Sequence, residues 1–253
     1  NKGVSRYLIE DFNIIYAPSA SAMLVLSARP RREDVPLDFL GIANTDRGDG
    51  NQVYLPTLRS FPPLPWAQKE VWAAAEFFVP ERVRLMAGET VSESDFLDQP
   101  LEKFRILHFA THGFYDDVNW QRSTLLLDQD PDGRLDGFLQ LQDVYLLPLR
   151  ADLVVLSACR SGLGRLEKGE GPTGVSYAFL YAGARSLINS LWSVADESSV
   201  EFMRVFYSRL TAGLTKSAAL REAKREMLRG RHAHPFYWAG FILIGEDSAF
   251  VRR

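Results

Sequence analysis

"RADLVVLSAC", Arg150 to Cys159, decides how this chain is read. Leu153 to Leu156 is an unbroken apolar run of strand length, the pattern of a central strand buried on both faces. Strands of that kind belong to parallel sheets covered by helices on both sides. The run ends on the only cysteine among 253 residues, and Arg160, Ser161 and a glycine-spaced turn follow it. Beyond the turn, "GVSYAFLYAGA" reads as a helix ending at Gly183 and "SLINSLWSV" as the next strand. "ESSVEFMRVFYSRLTAG" sets Phe202, Phe206 and Leu210 on one helical stripe and stops at Gly213, where a left-handed cap is expected. "TKSAALREAKREMLRG" turns Leu220, Ala223 and Met227 inward and Arg221, Glu222, Lys224 and Arg225 mostly outward, and "FYWAGFILIG" closes as a strand.

The same alternation runs toward the start. "FNIIYAP" (Phe12 to Pro18) and "LDFLGIAN" (Leu37 to Asn44) read as strands, separated by the short helix "SASAMLVLSAR" with Ser19 as its cap. After "TDRGDGNQ" and the proline-rich "FPPLPW", "AQKEVWAAAEFF" has helical spacing at Val71, Ala74, Ala75 and Phe78. "RVRLMAG" is then a strand, "TVSESDFLDQPL" a helix and "KFRILHFATHG" a strong strand. The fold class is therefore α/β, a mostly parallel central sheet flanked by helices on both faces. Neither an internal repeat nor a low-complexity segment is present.

Composition narrows the function classes. The net charge is −3 with charges scattered, so there is no footprint for direct nucleic-acid binding or for an acidic membrane surface. No apolar stretch reaches the roughly 18 to 20 residues that span a bilayer, and "NKGVSRYLIEDF" does not resemble a signal peptide. A lone cysteine agrees with a reducing compartment, so a cytoplasmic protein is expected. The chain opens on Asn rather than Met, which suggests part of a longer protein.

Sites in open parallel sheets gather at the carboxyl ends of strands. Two reactive side chains fall there: His112, after "ILHFAT" and before Gly113, and Cys159, 47 residues later. That order and spacing match the His–Cys dyad of caspase-like proteases. An unassisted thiol is only a few per cent thiolate near neutrality, so a neighbouring imidazole must take its proton or stabilise the thiolate. Gly113 lacks a side chain, so its N–H can approach a scissile carbonyl and form an oxyanion hole with the N–H of Cys159. Rival readings are weaker. His108 lies four residues before His112 on the expected strand and so on the same face, but nothing like Gly113 follows it; it reads as a core or supporting histidine. His232 and His234 have no further Cys or His nearby and read as loop residues rather than metal ligands. Ser157 and Ser161 lack the Gly-x-Ser-x-Gly elbow, and "GLGRLEKGEG" lacks the Gly-Lys-Ser/Thr ending of a phosphate loop.

The segments "ILHFATHGFYDD", "DLVVLSACRSGLG", "GEGPTGVSYAFLYAGARSLINSLWSVADESS" and "HPFYWAGFILIGE", in that order, resemble the CHAT family of caspase-like peptidase domains. The likeness runs from "YAPSASAMLVL" to Glu246 and is most specific between Ile106 and Asp196. It implies a caspase-haemoglobinase fold with a pseudo-caspase-like N-terminal half at 1–100 and a catalytic half at 101–253. It implies a His112–Cys159 dyad, peptide-bond hydrolysis without metal or organic cofactor, and a protein substrate. It also implies control by an upstream tetratricopeptide-repeat region or an effector complex, in bacterial immune systems that cleave gasdermin-like proteins or act beside CRISPR complexes. One departure is plain: family members commonly carry Glu-Thr-Gly after the cysteine, where this chain has Arg160-Ser161-Gly162. The change falls on the expected wall of the cleft, so Arg160 and Ser161 are candidate substrate-binding residues. Asp196 reads locally as a helix cap. It also matches the position where separase-type relatives receive a basic side chain, a second candidate for substrate binding. Glu170 and Asp117 read as solvated loop acids, and Trp192 as core or cleft wall.

Overall fold

The computed structural model describes residues 6–29, 35–44, 63–88, 90–114, 123–157, 166–167, 171–172, 175–192, 194 and 196–250, with the backbone alone described at 166–167, 171–172, 175–176 and 196. The strands are β1 (Leu37–Asn44), β2 (Val83–Gly88), β3 (Phe104–Ala110), β4 (His112–Phe114), β5 (Thr124–Leu126), β6 (Phe138–Gln140), β7 (Leu153–Leu156), β8 (Leu166–Glu167), β9 (Gly171–Pro172), β10 (Ser186–Ser190) and β11 (Phe241–Gly245). The α-helices are α1 (Ala20–Ala28), α2 (Ala67–Ala75), α3 (Glu93–Leu97), α4 (Leu141–Tyr145), α5 (Val175–Ala182), α6 (Asp196–Thr211) and α7 (Lys216–Arg229).

Six strands form the central sheet in the order β11-β10-β7-β3-β1-β2, parallel throughout except for β11. Because side chains alternate along a strand, the sheet feeds two cores. Leu40, Ile42, Leu107, Phe109, Val154, Leu156 and Leu187 point to one, closed by residues of α1, α3, α4 and α5. Phe39, Ile106, Leu153, Val155, Ile188 and Leu243 point to the other, beneath α2, α6 and α7. The expected mainly parallel sheet with helices on both faces is what is observed.

Local signals explain most boundaries. Ser19, Ser92 and Thr215 each accept a backbone N–H with their hydroxyls and start α1, α3 and α7. Phe202, Phe206 and Leu210 form the buried stripe of α6. Gly183 ends α5 at φ +127°, where a Cβ would lie 2.0 Å from the Leu149 carbonyl oxygen, so both backbone angle and space require glycine.

Several expectations are corrected. "FNIIYAP" is not a strand: only Tyr16 bridges, its N–H donating to Leu243 O (2.8 Å) at the outer edge of β11, while Phe12 and Ile15 stay exposed. Lys224 is buried rather than outward, and burial pushes its pKa down to about 8. The hairpin β5–β6 and helix α4 carry no strong periodicity and are additions to the sequence reading. "KFRILHFATHG" is not one strand. β3 stops at Ala110, Thr111 is a bend, and β4 leaves the main sheet for an antiparallel sheet with β5 and β6. The shared face expected for His108 and His112 therefore does not exist, because the two histidines belong to different sheets.

Candidate active site

The break at Thr111 places His112 at the carboxyl end of β3. It pairs across β4–β5 with Leu126, and Gly113 with Leu125, and the His112 side chain is largely buried. The Thr111 hydroxyl donates to the His112 carbonyl (3.3 Å), fastening the bend. On the adjacent strand, β3 and β7 run in register His108↔Val155 and Phe109↔Leu156, and the last rung among the described residues is Ser157 N–H to Phe109 O at 2.9 Å. Three positions beyond Phe109 comes His112, and three beyond Leu156 comes Cys159. Cys159, Arg160, Ser161, Asp117 and Glu170 lie outside the described residues. Asp196 is the first residue of α6, its side chain likewise outside.

Between the strand ends lies a narrow cleft. Leu64 and residues of α2 (Ala67, Glu70), the end of β3 (Ala110, Thr111), Ser157, Ser190, Trp192, Val194, Ser199 and Phe241 line it. Trp192 is a wall: its indole N–H donates to Phe236 O (2.8 Å), and a Cβ at Gly240 would come within 2.9 Å of the ring, so glycine permits that packing. The Ser190 hydroxyl donates to the Trp192 carbonyl.

Beneath the cleft runs a buried hydrogen-bonded chain that sequence reasoning missed. His108 Nε2 lies 2.9 Å from Glu70 Oε1, and its Nδ1 lies 3.0 Å from the Tyr207 hydroxyl. Burial, and then the Glu70 charge, raise the Tyr207 pKa well above its ordinary value of 10. His108 is thus the core histidine expected, but its two partners were not foreseen. The available signal was Glu70 itself, a charged residue on the buried stripe of α2 between Ala67 and Ala74. His232 and His234 have local roles: His232 approaches Glu201 (3.6 Å) and His234 accepts the Phe236 N–H (3.2 Å). Among the described residues no group of three His, Cys, Asp or Glu side chains is arranged to hold a metal ion.

The CHAT domain profile matches residues 1–246. This chain belongs to the CHAT domain family. Among curated proteins, the CHAT domain is 28% identical over 287 aligned positions to Tetratricopeptide repeat protein 28 of Homo sapiens, covering 96% of this chain and 11% of that protein. It is also 28% identical over 222 positions to the protein of the same name in Mus musculus, covering 73% of this chain and 9% of the relative. The chain thus spans about a tenth of the curated relatives it matches. Among solved structures, separase from the Saccharomyces cerevisiae separase–securin complex superposes with a TM-score of 0.61 at 16% identity, over 95% of this chain and 14% of that one. The Arg specific cysteine proteinase gingipain R superposes with a TM-score of 0.58 at 12% identity, over 92% of this chain and 51% of that one. The CHAT domain therefore has the caspase-like fold. No described helix is long and apolar enough to cross a membrane.

Proposed function

We propose that this CHAT domain is a cysteine endopeptidase working through His112 and Cys159. The observation that carries the reading is the register: β3 and β7 are neighbours in the sheet, and both residues follow the Phe109–Leu156 pair by the same count. In this mechanism the imidazole of His112 takes the Cys159 proton and the thiolate adds to the peptide carbonyl. The N–H groups of Gly113 and Cys159 receive the oxyanion. The C–N bond breaks as His112 returns the proton to the leaving amine, and water, deprotonated by the same imidazole, releases the acid and regenerates the thiol. Arg160 and Ser161 belong to the substrate wall. Asp196, between the cleft residues Val194 and Ser199, is a candidate to pair with a basic side chain. The substrate class is a protein, with gasdermin-like and CRISPR-associated proteins as the bacterial-defence candidates, and the setting is cytoplasmic.

The test is cleavage profiling on a diverse peptide library. Wild type is expected to cut, and Cys159→Ala and His112→Ala are expected to lose at least about a thousandfold in kcat/KM while staying folded. Undiminished cleavage by the cysteine variant refutes the mechanism.

The names of the curated relatives support a second reading, a partner-regulated scaffold whose dyad is silent in isolation and is closed by a repeat region or effector complex. A thiol-reactive peptide probe separates the two. Labelling of the single cysteine by the isolated domain favours the constitutive peptidase, and labelling only after partner addition favours the gated one.

A further inference from the structure

Far from the cleft, α1 and α5 lie side by side over the sheet face opposite α2 and α6. Neither helix has a charged residue in its nine or eight positions, in a chain that is 24% charged. A surface helix ordinarily turns polar or charged side chains outward, and a helix that is apolar all round belongs in an interior. α1 buries Leu26 and packs Met23 against the core, yet its outer side carries Leu24 at 73% and Val25 at 60% exposure. On α5, Tyr181 is 74% exposed and packs edge-on against Tyr145 (5.3 Å), and Leu146 next to that ring is 83% exposed. The bare apolar surface is therefore continuous from α1 across α5 to the end of α4.

Between the two helices is an open groove of about 330 Å³, walled by Val25 and Leu26 of α1 and by Tyr177, Leu180 and Tyr181 of α5. Arg29, at the C-terminal end of α1, donates from Nη1 to the Leu180 carbonyl (3.0 Å), so its charge is already engaged there. Leu24 precedes Val25 on the same helix and projects outside the groove. The face thus holds a knob and a hole side by side, and a two-fold axis brings each copy's knob to the other copy's hole. An uncharged face meets itself without opposing like charges, and a net charge of −3 leaves little repulsion between whole molecules. The four exposed side chains offer on the order of 600 Å², the upper end of what a monomer leaves bare. The half-buried Ala22, Tyr145 and Tyr177 around them bring the face near the roughly 800 Å² per partner of a stable interface.

We propose that this face of α1, α5 and the end of α4 joins two copies of the chain in an isologous dimer, with Leu24 of each copy entering the groove of the other. No groove residue lines the cleft, so the cleft of each copy stays open in the dimer. The assignment does not depend on the peptidase reading.

The experiment is sedimentation velocity on the 253-residue chain. Wild type is expected to pass from monomer to dimer between about 1 and about 100 µM. Because the face carries no charge pair, the dissociation constant should change less than about twofold between about 50 and about 500 mM salt. Leu24→Glu and Tyr181→Glu lie at exposed positions of different helices, and each is expected to weaken the dimer at least about tenfold. Leu8→Glu, on exposed apolar surface outside the face, is expected to leave it unchanged. Circular dichroism checks that each variant is folded, and if one of the two glutamate variants in the face is not, the other decides. A wild type that stays monomeric to about 100 µM overturns the proposal and leaves the face to a different protein. A dimer that both of those variants retain, that Leu8→Glu abolishes or that salt dissolves overturns it equally.

Discussion

Replacing Glu93 by glutamine should stabilise the domain, and more so as pH rises. Glu93 begins α3, is 3% exposed, and its Oε2 accepts the Gly137 N–H at 3.0 Å. Burial pushes its carboxyl up, the Gly137 hydrogen bond pulls it down, and repulsion from Asp136, Asp143 and Asp130 pushes it further, from 4.5 to about 7. The folded state therefore binds this proton more tightly than the unfolded chain. The stabilisation is complete below pH 4.5 and is lost as pH rises through 7. At about 1.4 kcal/mol per pH unit the full difference corresponds to about 3 kcal/mol, most of it appearing between about pH 5 and 8. Glutamine keeps an oxygen for Gly137 and carries no charge. Urea unfolding of both proteins at pH 5 and pH 8 should show the variant's advantage widening by about 2 kcal/mol. An advantage that stays constant across that range refutes the argument. The site shares the consequence, because the hairpin that Glu93 fastens at Gly137 pairs through β5 with β4, the strand of His112.

Two further changes probe the frame. Burial alone pushes the Glu246 carboxyl up, but the Lys216 charge, hydrogen bonds from Arg185 and Ser248 and the Arg185 charge bring it down to about 2. Glu246→Gln should therefore cost about 3 kcal/mol near neutrality. In wild type that contribution is present above pH 4.5 and lost as pH falls through 2, so unfolding curves of the two proteins should converge in acid; a constant gap refutes the pairing. Gly183→Ala should cost at least about 3 kcal/mol, since its Cβ meets backbone rather than a side chain that can move; a thermal midpoint within a degree or two of wild type refutes the clash.

Legibility in the sequence followed periodicity. Leu153–Leu156 and Leu37–Asn44 are apolar enough to be strands whatever surrounds them, and their burial on both faces is what such runs require. The stripes of α6 and α7 are similarly self-declaring, except at Lys224, whose long stem can be buried while a pattern of charges predicts an outward face. What stayed hidden depends on tertiary pairing. Nothing in "HFATHG" announces that the ladder partner changes from β7 to β5 at Thr111, since both halves are good strand sequence. Glu70 and Tyr207 are 137 residues apart and meet only through His108, so no local pattern joins them.

The break at Thr111 is also what makes the candidate site possible. Had β3 continued beside β7, alternation would have set His112 on the face of His108, beneath α2 and α6 with the second core. Instead, among the described residues, the β3–β7 ladder closes on the Ser157–Phe109 rung, and the chain beyond β3 turns at Thr111 into β4 with His112. Gly113 follows His112 into the small sheet, so the histidine and its adjacent N–H are carried by β4, while the cysteine comes three residues after the end of β7 in the sequence. The proposed chemistry therefore draws on a residue of the small sheet, which one bend at Thr111 connects to β3. A substitution that strains the bend without touching either proposed catalytic side chain, Thr111→Pro, should remove the hydroxyl link to the His112 carbonyl and abolish peptidase activity. Retention of wild-type kcat/KM by that variant would show that the bend does not position the histidine.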